Sequence, residues 1–473
     1  MKSISKRSEV GMRKSIASWK GSLILLSACA QSAWGGYNHP GIFNSQEELD
    51  YIKATVNASA ANPMKQGLAK LNTYSGASLN FQTNPVATVQ VVASGVGPGE
   101  QSFRDAGHAA YAHALLWVVT GDAKHKDKSL QIINGWAAAF KGMSLLDNHQ
   151  QDLEAAWAIP TWAAAGEILR YYNHGAAAWA KTDIDKFSAM LDIMCGYAQY
   201  TMDVRKMTNN WGTSSALALM AVGVFEDDSL KFNKGMDYLD FILPYTVEKT
   251  GLVMETCRDC NHAEYNLLGM MAAAEIAWKQ GIDFYGRKLD GQATPRLLMG
   301  MEFHAASFLG KPLNVGQTCG PQSCAGEDKH AGGWEMGLNH YRYRANLPIP
   351  TTTTFVTTQN RPDGLSEDHF TGWTSLTHAE LGDIHSVTAV LPRKAVFRDG
   401  PQVSVSRNGG EVTLRYRIAD VSGPVKPSVL EVFATDGRKL FSSPLAEAAG
   451  EIRIPRETAV AMGSGPLLFR MAP

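Results

Sequence analysis

At 473 residues the chain is too long for one ordinary core and suits two or three domains. Hydrophobic residues make up 45% and charged ones 19%, which excludes wholesale disorder. Lys and Arg (44) nearly cancel Asp and Glu (45); the net charge of −1 excludes the basic surplus of a nucleic-acid binder but allows a local basic cleft.

Residues 1–33 read as an export signal. Basic residues run up to Lys20, a short apolar stretch spans Ser22 to Ala28, and small residues lead to Trp34. Leu26-Ser27-Ala28-Cys29 also resembles a lipobox, so soluble export and a lipid on Cys29 both stay open. No later segment has the length of a membrane span.

From about residue 40 to 346 the pattern is helical. Ser45 and Glu48 form a capping box. Helices follow at Phe103 to Thr120, Lys124 to Phe140, and Asp152 to Tyr172, where Pro160 should kink or split the run. Trp179 to Met202, Trp211 to Phe225, Leu230 to Val247 and Asn261 to Lys279 continue the series. Another helix opens at Thr294-Pro295, and a shorter one spans Trp334 to Tyr343. Short loops make neighbours antiparallel. Many helices are apolar around most of their circumference, as in an inner and outer ring. The fold class is mainly α: an (α/α) toroid over 34–384, followed by a β-sandwich over 385–473. Thr351 to Thr358 is β-prone, and strand-like runs flank the hairpin signal Asn408-Gly409-Gly410.

The mature chain keeps Cys195, Cys257, Cys260, Cys319 and Cys324. Cys195 reads as a buried free thiol. The other four, as C-x-x-C and C-x4-C, fit one or two disulfides or a tetrahedral zinc site.

Three segments place polar and aromatic groups at helix ends: Thr208 to Ser214, Cys257 to Tyr265, and Trp334 to Arg342. If Asn261 caps its helix and Glu264 closes the box, His262 sits in the first turn, where the helix dipole disfavours an imidazolium. Amide, imidazole and phenol are the groups needed to remove a weakly acidic C–H proton beside a sugar carboxylate. The amide and imidazole stabilise the developing charge, and a Tyr or the His moves the proton.

The region 38–380 resembles the alginate lyase superfamily, most closely polysaccharide lyase family 38, the glucuronan and alginate lyases. The likeness rests on His39-Pro-Gly-Ile-Phe, Asp105-Ala-Gly-His-Ala-Ala-Tyr-Ala-His-Ala-Leu-Leu-Trp117, Leu153-Glu-Ala-Ala-Trp157, Asn209-Asn-Trp-Gly212, Arg258-Asp-Cys-Asn-His262, Glu275-Ile-Ala-Trp-Lys-Gln-Gly281 and Asn339-His-Tyr341. It implies a toroid and a lyase that needs no metal or cofactor and acts on an acidic polysaccharide. It implies Asn210 and His262 as the carboxylate-binding pair and Tyr341 as the catalytic Tyr, so that Tyr341→Phe should abolish turnover. Arg258, His340, Arg342, Gln150, Trp157 and Trp211 are the expected substrate-binding residues. The resemblance also implies an Arg shortly before the catalytic Tyr, yet His330-Ala-Gly-Gly333 precedes Tyr341. The Cys-rich loop from Asn314 to Gly333 looks inserted, and Cys319 or Cys324 is expected to pair with Cys257 or Cys260.

Two other functions compete. A glycoside hydrolase on the same toroid would need two carboxylates, with Asp152 and Glu154 or Glu255 and Asp259 as nominees. A non-catalytic glycan-binding protein would need no such groups.

Overall fold

The computed structural model describes residues 36–384, apart from 93–94, 145–148, 314–322, 328–330 and 366–370, together with strands between 402 and 472. The expected export signal with Cys29, and Cys319, lie outside the described residues.

Helices α1 (Gln46–Asn57), α2 (Pro63–Asn72), α3 (Glu100–Thr120), α4 (Ala123–Ala139), α5 (Gln150–Gly175), α6 (Lys181–Tyr200), α7 (Asn210–Phe225), α8 (Ser229–Thr246) and α9 (Cys260–Lys279) follow one another closely. The Ser45–Glu48 capping box opens α1 as expected. Gly121, left-handed at φ 73°, ends α3, and the Asp122 side chain caps α4. Pro160 does not break α5; non-helical angles occur only at Tyr172, Asn173 and His174.

Helices α3, α5, α7 and α9 pack in succession and form the inner ring, while α4, α6 and α8 lie outside. Burial explains the division. Nearly every residue of α7 and α9 is buried, so these helices are apolar all round, whereas α4, α6 and α8 bury one face. Each inner helix returns through an outer one, so the inner helices run parallel. The contacts agree: Arg170, late in α5, donates to the carbonyl of Phe225, the last residue of α7 (2.8 Å). The architecture is the (α/α) toroid that the sequence predicts. Among the described residues, no helix is long and apolar enough to cross a membrane.

Helices α10 (Arg296–Phe308), α11 (Trp334–Asn339), α12 (Pro350–Phe355) and α13 (Thr374–Thr377) complete the helical part. The β-prone run from Thr351 is helical instead, as α12 and a π-helical turn at Val356–Asn360. Pro350 occupies the first helical turn, and Glu302 of α10 accepts from the Thr351 and Thr352 N–H groups (3.1 and 2.8 Å). A carboxylate distant in sequence therefore overrides local β propensity.

A short parallel pair, β1 (Thr88–Gln90) with β2 (Gly142–Ser144), sits within the helical part. Six further strands are β3 (Gln402–Asn408), β4 (Glu411–Arg417), β5 (Ser428–Ala434), β6 (Lys439–Leu445), β7 (Ala449–Ile454) and β8 (Leu467–Ala472). They make two antiparallel sheets, ordered β3-β4-β7 and β6-β5-β8. Asn408 pairs with Glu411, the register of the expected hairpin, whose Gly409 and Gly410 lie outside the described residues.

At the C-terminal end of α9 lies a buried ionic network. Arg344 donates to both carboxylate oxygens of Glu275 (2.8 and 2.9 Å) and to Glu48 (3.1 Å). Lys279 pairs with Glu275 at 2.7 Å and also with Glu48. Burial pushes the Glu275 carboxyl up, but Arg344 and then Lys279 outweigh it and hold it well below the usual range. The network ties α1 and the segment after α11 to α9.

Candidate active site

The N-terminal ends of α5, α7 and α9 meet at one mouth of the ring. Trp157 of α5 lies 5.2 Å, ring to ring, from Tyr265 of α9. Thr213 of α7 donates to Asn266 of α9 at 3.0 Å. Three parallel helix starts place partial positive charge here and favour an anion. Several buried polar atoms at this mouth have no hydrogen-bond partner, among them Trp157 Nε1, Asn210 Oδ1, Gln151 Oε1 and Arg205 Nη1. Each such atom calls for a partner, which water or a polar ligand would supply.

One carboxylate organises the α7–α9 side. Glu255, held at φ 70° in the loop before α9, accepts from Asn210 Nδ2 (2.7 Å), the Asn210 backbone N–H (3.3 Å) and Asn266 Nδ2 (3.1 Å). Its other oxygen accepts from Asn209 Nδ2 and Arg258 Nη1, both at 3.4 Å. Thr213 fixes the Asn266 amide, which faces Glu255 in turn. The Asn210 amide is thereby set with Nδ2 toward Glu255 and Oδ1 idle. Gly212 is needed at the start of α7, because a Cβ there would stand 1.9 Å from the Met207 carbonyl.

Asp259, rather than the expected Asn261, is the N-cap of α9 and accepts from the His262 N–H at 2.7 Å. The same carboxylate meets His262 Nδ1 at 2.7 and 2.8 Å from its two oxygens. A carboxylate only accepts, so Nδ1 carries a proton, and in the neutral ring Nε2 is the nitrogen with the lone pair. Tyr265 stands edge-on to His262, with ring centroids 5.5 Å apart. Arg258 stays 60% exposed while reaching both Glu255 and Asp259 (3.4 and 3.5 Å), so its guanidinium can meet an incoming anion. A disulfide between Cys260 and Cys324 secures the first turn of α9, in line with the pairing expected for this loop; Cys257 is also disulfide-bonded. Cys195 is a buried free thiol. Among the described residues, no group of three or more His, Cys, Asp or Glu is arranged to hold a metal. The mouth thus offers a base, a phenol, an amide and a guanidinium around one opening.

The structure brings Asn210, His262, Arg258 and Trp157 together, with Trp211 and Gln150 on adjoining helix starts. It does not bring Tyr341, and that assignment is corrected. Tyr341 is fully buried and donates to the Tyr285 carbonyl at 2.9 Å. Tyr285 in turn hydrogen-bonds Glu275, four turns along α9 from His262, about 20 Å at 1.5 Å per residue. His340 is corrected for the same reason. It is buried, stacks on Tyr285 at 4.1 Å, and burial, then the Arg344 charge, lowers its pKa to about 3. Arg342 is exposed on the same π-helical turn, over the Tyr343 ring, and is likewise away from the mouth. Of the carboxylates nominated for hydrolysis, three are engaged by other side chains, and Asp152 keeps one oxygen without a hydrogen bond. Glu154 is buried against Arg104, Asp152 is buried beside His149, Glu255 holds amides, and Asp259 holds His262.

Tyr265, which the sequence alone does not single out, is the phenol beside His262. Arg258 stands seven positions before it, the Arg-before-Tyr pattern that Tyr341 lacks.

The sequence matches the alginate lyase family model over residues 52–311. Comparison with curated proteins gives no match. Among solved structures, alginate lyase A1-III from Sphingomonas species A1 superposes with a TM-score of 0.52 and 16% identity, over 71% of this chain and 97% of that one. A Tyr-to-Phe variant of A1-III, complexed with a tetrasaccharide, gives a TM-score of 0.53 at 16% identity, over 71% of this chain and 96% of that one. These likenesses establish the shared fold. With the family match extending over more than half of the sequence, the chain belongs to the alginate lyase family and is a polysaccharide lyase.

Proposed function

We propose that the enzyme cleaves a 1,4-linked uronate polysaccharide by β-elimination, using His262 as base and Tyr265 as acid. The observation that carries this reading is the His262–Asp259 pair, which leaves Nε2 as a proton acceptor beside the Tyr265 phenol. The uronate carboxylate would meet the Arg258 guanidinium, the second N–H of Asn210 Nδ2 and Trp157 Nε1–H, which stabilise the charge that develops when C5 loses its proton. His262 Nε2 takes that proton, the electron pair forms the C4–C5 double bond, and the C4–O bond breaks. The departing oxygen takes the Tyr265 proton, and proton return from His262 by way of solvent resets the pair.

Acid and base stand three residues apart on one helix and act from one side. That arrangement suits elimination of a hydrogen and an oxygen on the same face of the sugar ring. Mannuronate and glucuronate present C5–H and C4–O in this way, and guluronate, the C5 epimer of mannuronate, does not. The favoured substrates are therefore mannuronate-rich alginate and glucuronan. The disulfide and the basic, then apolar N-terminus support an exported enzyme.

The test is ultraviolet absorbance of unsaturated products on polymannuronate, polyguluronate and glucuronan. Activity on the first or third is expected, and Tyr265→Phe should lower turnover by about 10²–10⁴-fold. Reducing ends without unsaturation would instead indicate hydrolysis. Cleavage of polyguluronate alone would overturn the one-sided geometry.

A further inference from the structure

Beside Asn210 is a second group of residues that the elimination does not use. A π-helical turn, Thr201–Arg205, closes α6, and Lys206 follows at φ 50°. This backbone carries Arg205 back over the start of α7, where its guanidinium lies 4.3 Å from the centre of the Trp211 ring. Arg205 Nη1 is buried and has no hydrogen-bond partner. Facing it, at the start of α5, Gln151 is fully buried with Oε1 idle, and Asp152 is buried with Oδ2 unpaired except for the His149 ring nitrogen at 3.4 Å. Burial raises the Asp152 carboxyl pKa, and His149 and Arg205 draw it back. His149 itself stacks on Tyr200, ring centres 5.0 Å apart.

A guanidinium seated on an indole has its plane fixed and one edge ready for a carboxylate. Buried donors and acceptors left idle on a wall of the same opening call for a polar ligand, and a neutral one would leave the Arg205 N–H without a charged partner. We propose that Arg205, fixed by Trp211, binds the carboxylate of a uronate residue neighbouring the one cleaved, while Gln151 and Asp152 accept from its hydroxyl groups. His149 and Arg205 offset the Asp152 charge, so the wall does not repel an acidic sugar. The inference rests on the polyuronate reading above and adds a subsite that recognises the charge of a second sugar. Arg205 is then a specificity residue, outside the proton transfers.

The experiment compares Arg205→Met and Arg205→Lys with wild type. Met keeps the apolar stem on Trp211 and removes the charge; Lys keeps the charge without the planar fork. On polymannuronate or glucuronan, Arg205→Met should raise KM about tenfold to a hundredfold with kcat within about threefold, and Lys should recover part of the loss. In a Tyr265→Phe background, calorimetry with a mannuronate tetrasaccharide should show the same loss of affinity from Arg205→Met. This arm needs no turnover, so it separates failure of the subsite from failure of the lyase reading. Unchanged KM and unchanged tetrasaccharide affinity would overturn the proposal. A fall in kcat at constant KM would also overturn it, by moving Arg205 into the chemistry.

Discussion

The two ends of the inner ring treat charge in opposite ways. At the C-terminal end, Glu48 and Glu275 are fully buried, and each meets both Arg344 and Lys279. His39 lies there too, between Glu167 (2.7 Å) and Asp227 (3.2 Å). At the N-terminal mouth, Asn210, Trp157, Gln151 and Arg205 keep idle polar atoms, and Arg258 stays exposed. One end joins chain segments far apart in sequence through buried charge pairs; the other gathers amides, an imidazole and an exposed guanidinium at helix starts. The contrast teaches that the toroid separates the groups that close the fold from those proposed to do the chemistry, and that residue types alone do not distinguish them.

Four substitutions or conditions can break or sharpen that division. Arg344→Met leaves two buried carboxylates short of a cation and should cost about 3–5 kcal/mol of stability, read by denaturant unfolding, while the folded fraction keeps its kcat. A catalytic collapse at unchanged stability would erase the distinction. Glu255→Gln should act the other way: misplaced amides at the mouth lower kcat about a hundredfold, with a stability change of only about 1–2 kcal/mol. Parallel kinetics and melting curves on one preparation decide between the two.

The third concerns pH. Burial pushes the His39 pKa down, but Glu167 and Asp227 outweigh it and raise it to about 9, above the unfolded value of 6.5. Its stabilisation is therefore fully present below about pH 6.5 and is lost as pH rises through about 9. Melting temperature measured from pH 6 to 10 should fall over that window in wild type and less steeply in His39→Gln. The smallest effect belongs to Tyr341→Phe, which removes one buried hydrogen bond at the closed end. It should cost about 1 kcal/mol in a melt and leave turnover near wild type.

The ring itself was legible in the sequence. Apolar residues around the whole circumference mark α7 as an inner helix, and Ser45 with Glu48 marks the start of α1, because both signals are local. The placement of Asn210 and His262 at helix starts was legible, because each stands in a local polar cluster that opens an apolar run. Asn339-His-Tyr341 has the residue types of a site, but the Tyr285 carbonyl that takes its phenol comes from a segment 56 residues earlier. Tyr265 closes the second polar segment, but one sequence does not reveal that its turn of α9 faces Trp157. The helix at α12 escaped for a similar reason, since its capping carboxylate, Glu302, belongs to α10.

The Cys260–Cys324 bond carries a consequence for how this enzyme matures. It closes a stretch of chain with a sequence separation of 64, and one of its ends lies two positions from His262, the proposed base. In the chain-entropy picture, cross-linking a loop of this size stabilises by about 4 kcal/mol. Before oxidation, the turn bearing His262 depends on weaker contacts alone. A sample treated with dithiothreitol should therefore lose heat tolerance and catalytic rate together, and regain both once air or glutathione disulfide restores the link.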